Sequence, residues 1–347
     1  MKISVLGAGA IGSMLGGLIK HHAPDLDVVL IMRGDHGQKV DEQGAVRLQG
    51  PWGSRDVPIA VSFDVSDIAG SDFVLLTVKS QSTEEAIRSA VPHLGNAIVI
   101  SIQNGINHET LLQHVSPGRL VMGMTATNMA ILEPGSVSLQ LDGPSVVGPV
   151  PGHADITPAA QAASVLQKTA LRFDEHPNVL GVQYNKLAIN ALGYASCMSA
   201  SNFITDAVCN RSWRHHVGRP IIDECVRAYE KAGIELARIP GRPDMEKIQG
   251  FLRLLDKPVL GALVGFGAER IYNRKPIVFS LYQDLKRQKK TEVEHINGAI
   301  VRLAKSHGIE APYNAKVVEM VHRLEKRDGG GFFVRDEVVE EFERHQE

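Results

Sequence analysis

Apolar positions in the first half of the chain fall in short, β-branched runs separated by helix-compatible stretches. The runs Lys2–Leu6, Val28–Met32, Val57–Val61, Phe73–Thr77, Ile98–Ser101 and Leu120–Gly123 predict strands. The spacing between them predicts helices near Ala10–His21, Thr83–Val91 and Glu109–Val115. Such alternation predicts a parallel, doubly wound sheet that binds ligands at the carboxyl ends of its strands. Beyond a Pro134-Gly135 turn, strands are expected at Val137–Leu141 and Ser145–Gly148, then a helix over Pro158–Thr169 and a strand around Leu171–Asp174. After Pro177 the period becomes helical, over Val182–Ala200, Pro220–Ala232, Lys247–Leu255, Ser280–Ala304 and Ala315–Glu325. The charged stretch Glu337–Glu347 reads as a solvated terminal helix.

Composition narrows the class. A chain of 347 residues should form more than one domain. With 44% hydrophobic residues and a formal charge of −2, it reads as globular, without the basic bias that nucleic acid or anionic membrane would demand. No apolar stretch approaches a membrane span. Cys197, Cys209 and Cys225 are scattered and odd in number, which fits reduced thiols in a cytoplasmic protein. His215 and His216 point to different helix faces and lack zincin spacing, so no metal site is expected.

The first predicted strand runs into Gly7-Ala8-Gly9-Ala10-Ile11-Gly12. In a dinucleotide-binding turn the first glycine permits the tight turn and the second lets the backbone approach a pyrophosphate. The third lets the following helix pack on the strand, and its N-terminal amides face the phosphates. The fold class is therefore α/β: an N-terminal Rossmann-type doubly wound sheet (1–176), a C-terminal mainly α-helical domain (177–330) and a tail (331–347). Arg33 follows the second strand, where an acidic residue would bind the ribose hydroxyl of NAD and an arginine suits the 2′-phosphate of NADP. The expected cofactor is NADP(H). Asp35, in an expected loop, leaves NAD open.

Further groups carry candidate chemistry. Lys79 follows the Phe73–Thr77 strand and Asn104 lies in the Gln103-Asn104-Gly105 turn. Lys186 and Asn190 are four apart and share a helix face. Ser280 and Glu292 lie within the stretch from Phe279 to Gly298. In this order, and with the Glu133-Pro134-Gly135 turn, these groups resemble the ketopantoate reductase (2-dehydropantoate 2-reductase) family over nearly the whole chain.

The resemblance implies reduction of a 2-keto acid by NADPH, ketopantoate to pantoate in pantothenate biosynthesis. Lys186 matches the family's catalytic lysine, a general acid that stabilises developing negative charge on the carbonyl oxygen. Glu292 matches the family's site glutamate, Asn190 and Ser280 match substrate-binding positions, and Lys79 and Asn104 match the nicotinamide end. Tyr194 stands where the family usually has a second asparagine, so the substrate pocket should differ in shape and polarity. A different 2-keto acid is therefore one alternative. A β-hydroxyacid dehydrogenase is another, though it would not require the Ser280–Glu292 stretch. A non-catalytic NADP-sensing protein is the third, and it would have no need of Lys186. The expected partner is a small 2-keto acid, with a homodimer as the default assembly.

Overall fold

The computed structural model describes residues 1–257, 264 and 280–344. Residues 258–263 and 265–279 of the expected helical domain, and 345–347 of the expected tail, lie outside the described residues. The chain divides into two compact units, Met1–Gln183 and Tyr184–Glu347.

The first unit is built on twelve strands: β1 (Lys2–Leu6), β2 (Asp27–Ile31), β3 (Ala45–Gly50), β4 (Gly53–Pro58), β5 (Ala60–Ser62), β6 (Phe73–Leu76), β7 (Ile98–Ser101), β8 (Leu120–Thr125), β9 (Asn128–Glu133), β10 (Ser136–Leu141), β11 (Ser145–Pro149) and β12 (Phe173–Glu175). Eight of them form one sheet in the order β12-β11-β8-β7-β6-β1-β2-β5. Its pairs are parallel except β8 with β11. The chain leaves β1 toward β2 and β5, then crosses back to β6 on the other side. That reversal makes the carboxyl ends of β1 and β6 the switch point at which such sheets bind ligands.

A second sheet, β4-β3-β10-β9, was not expected from the sequence. Helix α1 (Ala10–His22) lies between the two sheets, and its neighbouring glycines show how. A Cβ on Gly16 would meet Leu30 of β2 at 2.6 Å, and one on Gly17 would meet Leu48 of β3 at 2.9 Å. Both faces of α1 are thus buried, and Gly12 through Ile19 are all inaccessible. The expected Val57–Val61 strand splits into β4 and β5, because Pro58 has no N–H to continue the ladder. Helix α2 (Gly34–Gln43) replaces the loop expected around Asp35, and α3 (Thr83–Ala90), α4 (His108–Leu112) and α5 (Thr157–Leu166) follow along the chain.

Helix α6 (Val179–Cys197) begins in the first unit and runs into the second. Asn178 starts it by accepting the Gly181 N–H at 2.8 Å. The second unit continues with α7 (Phe203–Cys209), α8 (Arg211–Trp213), a π turn, α9 (Arg219–Lys231) and α10 (Met245–Leu255). After the undescribed segment come α11 (Ser280–Lys286), α12 (Asn297–Ser306), α13 (Pro312–Glu325) and α14 (Arg335–Glu343).

The expected continuous helix over Ser280–Ala304 is broken. Gln288 takes a left-handed conformation (φ 52). The Lys289 N–H reaches back to Asp284 O at 2.8 Å, and the Gln288 N–H to Leu285 O at 3.1 Å. This is a Schellman ending, with glutamine in the place glycine usually takes. The solvated tail is also corrected: Val338 and Phe342 of α14 are fully buried, because its apolar stripe packs into the second unit. A buried polar network ties this unit together. The Glu224 carboxylate accepts the N–H groups of Tyr313 (2.8 Å) and Asn314 (2.9 Å), capping α13 from α9. Asn297 donates to Asn314 Oδ1 at 3.0 Å and to the Ala191 carbonyl of α6 at 3.4 Å.

Candidate active site

In the first unit the glycine turn is tied to its neighbours by backbone bonds. Gly7 and Ala8 donate to Ile31 O (3.0 and 3.1 Å), and Thr77 donates to Leu6 O and, through its hydroxyl, to Gly7 O at 3.0 Å. The three glycines have separate roles. Gly7 has φ 81, and a Cβ there would lie 2.1 Å from the Val78 side chain. A Cβ on Gly12 would lie 2.3 Å from Thr77 Oγ1 and 2.8 Å from Val5. A Cβ on Gly9 would meet nothing closer than Gly7 O at 3.9 Å, so packing does not demand that glycine. No side chain caps α1 either. Its first amides, beside an open Gly9, suit a pyrophosphate approaching the backbone.

Two braces here escaped the sequence reading. Gly135, in the β9–β10 turn, donates to His36 Nδ1 at 3.0 Å. The proton of that ring must then sit on Nε2, which donates to Ser13 Oγ at 3.1 Å; the Ser13 hydroxyl in turn donates to Ala8 O at 2.9 Å. At the next strand ends, Ser80 donates to Asn104 O at 2.6 Å, and Asn107 Nδ2 reaches Asn104 O at 2.9 Å and Ser80 Oγ at 3.2 Å. Gln103 Nε2 donates to Val78 O at 2.9 Å and to the Thr83 hydroxyl at 2.7 Å. Asn107 is therefore a brace of the Asn104 turn. Isolated histidines, serines and amides carry no sequence signal for such long-range bonds.

Arg33 and Lys79 are exposed, and Asn104 is half-buried. Arg33 immediately precedes α2 and pairs with Glu85 at 3.3 Å. Both side chains are mostly solvent-covered, so this pair contributes little and exchanges readily for a stronger anion.

The second unit gathers the other group. Lys186, Asn190 and Tyr194 follow at intervals of four along α6 and so share a face. Tyr194 is buried, and its hydroxyl lies 3.3 Å from Ser280 Oγ, at the start of α11. Glu292 is buried in the break that follows that helix. Burial pulls the Lys186 ammonium down to about 8, and the Glu292 carboxylate opposes that fall. Burial pushes the Tyr194 hydroxyl well above its ordinary range, and the charge of Glu292 adds to the effect. Tyr194 is therefore a neutral donor or acceptor at any working pH. Lys186, Tyr194, Ser280 and Glu292 form one electrostatically connected group; Asn190 sits half-buried one turn from Lys186.

Comparison with known proteins places the whole chain. Residues 3–152 match the family model for ketopantoate reductase PanE/ApbA, and residues 178–325 match the model for its C-terminal part. A 2-dehydropantoate 2-reductase of Pyrococcus horikoshii is 28% identical, with 95% of this chain and 99% of that protein covered. The protein of that name from Escherichia coli O157:H7 is 26% identical over 94% and 95%. Among solved structures, a PanE/ApbA family ketopantoate reductase from Ralstonia eutropha JMP134 superposes with a TM-score of 0.75 at 26% identity, covering 94% of this chain and 98% of that one. The ternary structure of a D-mandelate dehydrogenase with NADH and anilino(oxo)acetate shares the fold at TM-score 0.76 and 23% identity, over 94% and 98%. With both halves matched in order and the doubly wound sheet and helical unit in place, the chain belongs to the ketopantoate reductase family and is an oxidoreductase.

Proposed function

We propose that this enzyme uses NADPH to reduce a 2-keto acid to a 2-hydroxy acid, with ketopantoate the first candidate substrate. The observation that carries this reading is the half-buried Lys186, whose ammonium desolvation brings to about 8 beside the charge of Glu292. A proton donor serves best when its pKa lies near the working pH. The bound nicotinamide supplies the hydride; the open Gly9 and the uncapped amides of α1 fit its pyrophosphate. Lys186 stabilises the negative charge that grows on the carbonyl oxygen and gives that oxygen its proton. Glu292 favours the ammonium form of Lys186. Asn190 and Ser280 hold the substrate's carboxylate or hydroxyl oxygens, while Lys79 and Asn104 serve the nicotinamide end.

Arg33 supports NADPH over NADH. It stands at the N-terminal end of α2, and a 2′-phosphate would displace Glu85 from its exposed pair. Arg33→Ala should therefore weaken NADPH far more than NADH, and an unchanged preference would reject the phosphate role. A second reading, reduction of a 2-keto acid other than ketopantoate, is favoured by one observation. Tyr194 fills its position with a ring and turns its hydroxyl to Ser280, so that hydroxyl is already engaged. A panel of 2-keto acids assayed with NADPH and NADH decides between the two readings. Turnover with none of them would refute both.

A further inference from the structure

Residues on either side of Glu292 are bonded to a neighbouring helix. The left-handed ending at Gln288 leaves the chain non-helical up to a single 3₁₀ turn, Val293–His295. Helix α13 grips this stretch on both sides of Glu292. Glu325 Oε1 accepts the Thr291 N–H at 2.8 Å, and Glu325 Oε2 lies 2.7 Å from His322 Nδ1. The other ring nitrogen of His322 reaches Glu294 Oε1 at 2.9 Å. Only an imidazolium can donate from both nitrogens at once. The hydrogen bond to Glu294, with that to Glu325, raises the pKa of His322 against its burial. Arg302 of α12 adds a contact to Glu294 at 3.4 Å. The helix making this grip is itself anchored at its N-terminus by Glu224.

We propose that Glu325 and His322 are positioning residues that bracket Glu292 and hold its carboxylate where it acts on Lys186. The inference rests on the reading of Lys186 as proton donor. Neither residue of the bracket needs to touch substrate. It works because Thr291 is held through its backbone and Glu294 through its side chain, so Glu292, in the two-residue span between them, has little freedom to turn away. Among the groups near Glu292, the Tyr194 hydroxyl feels the charges of Glu292, Asp284 and Cys197, and His295 feels those of Arg302, Glu292, Glu294 and Lys290.

The test is the pH dependence of kcat/KM with NADPH and the best 2-keto acid of the panel. Wild type should lose activity through an alkaline limb at about 8, as Lys186 deprotonates. Glu292→Gln removes the charge that favours the ammonium, so its limb should move down by roughly one unit. Glu325→Ala should move the limb in the same direction, and the double variant should go no lower than Glu292→Gln alone. Glu325→Gln should restore the wild-type limb, because its amide oxygen still accepts the Thr291 N–H. A Glu325→Ala limb at the wild-type position, or additive shifts in the double variant, overturns the bracket while leaving the proton donor intact. No shift in Glu292→Gln overturns the pairing itself and the bracket with it. If Glu325→Ala does not fold, His322→Ala is read the same way, with a smaller downward shift expected and no shift counting against the proposal.

Discussion

Lys186→Met should make the protein more stable while abolishing turnover. Burial lowers this lysine from its ordinary value of 10.5 to about 8, so the fold disfavours its charge. At about 1.4 kcal/mol per unit, the ammonium costs the folded state about 3 kcal/mol at neutral pH. Methionine has similar length and no charge, so the variant should recover up to that amount. The sign with pH follows from linkage. Below about 8 both folded and unfolded forms carry the proton, and the full penalty applies. Between about 8 and the ordinary lysine value only the unfolded form keeps it, so wild-type stability rises with pH and the advantage of the variant shrinks. Urea unfolding can follow the second unit alone in a Trp52→Phe background, since Trp213 is fully buried there. The midpoint gap should be large at pH 7 and much smaller by pH 9.5. A variant less stable than wild type at pH 7, or a gap constant with pH, would refute the strained-charge argument.

Three further expectations follow from the geometry of the two units. Gly9→Ala should leave the thermal midpoint within about a degree of wild type yet weaken NADPH roughly tenfold or more, since its Cβ would point into open space that the proposed pyrophosphate site requires; an unchanged Kd would remove the phosphates from that turn. Gly12→Ala should instead destabilise by about 1–3 kcal/mol through its clash with Thr77 and Val5, and an unchanged midpoint would count against the close helix–strand packing. The raised pKa of His322 should add stability that is fully present below its ordinary value of 6.5 and lost as pH rises through the raised folded value. Measured in the Lys186→Met background, which removes the opposing lysine trend, His322→Gln should flatten this dependence; an equal slope in both proteins would exclude the imidazolium bracket.

The chain announced its first unit well where local rules suffice. β1, α1 and β7 start where their apolar runs and glycines begin, because a strand's period and a glycine's missing Cβ are properties of a few consecutive residues. The second sheet was illegible for the opposite reason. β3 and β10 are far apart in sequence, and only their pairing with each other and their shared packing against α1 gives them a common face. Resemblance brought Lys186, Tyr194, Ser280 and Glu292 together on paper, but nothing in their spacing said that Tyr194 would bond Ser280. Nor did periodicity foresee the break at Gln288, since left-handed caps made by glutamine have no compositional mark.

The sequence by itself determined the alternation of strands and helices around the first glycine turn and the residue types available for proton transfer. Tertiary structure decided their electrostatic condition: how far the ammonium of Lys186 is desolvated, which carboxylate answers it, and what grips the turn bearing that carboxylate. Periodicity is written in neighbouring residues, whereas a pKa or a bracket depends on groups that only folding brings within reach.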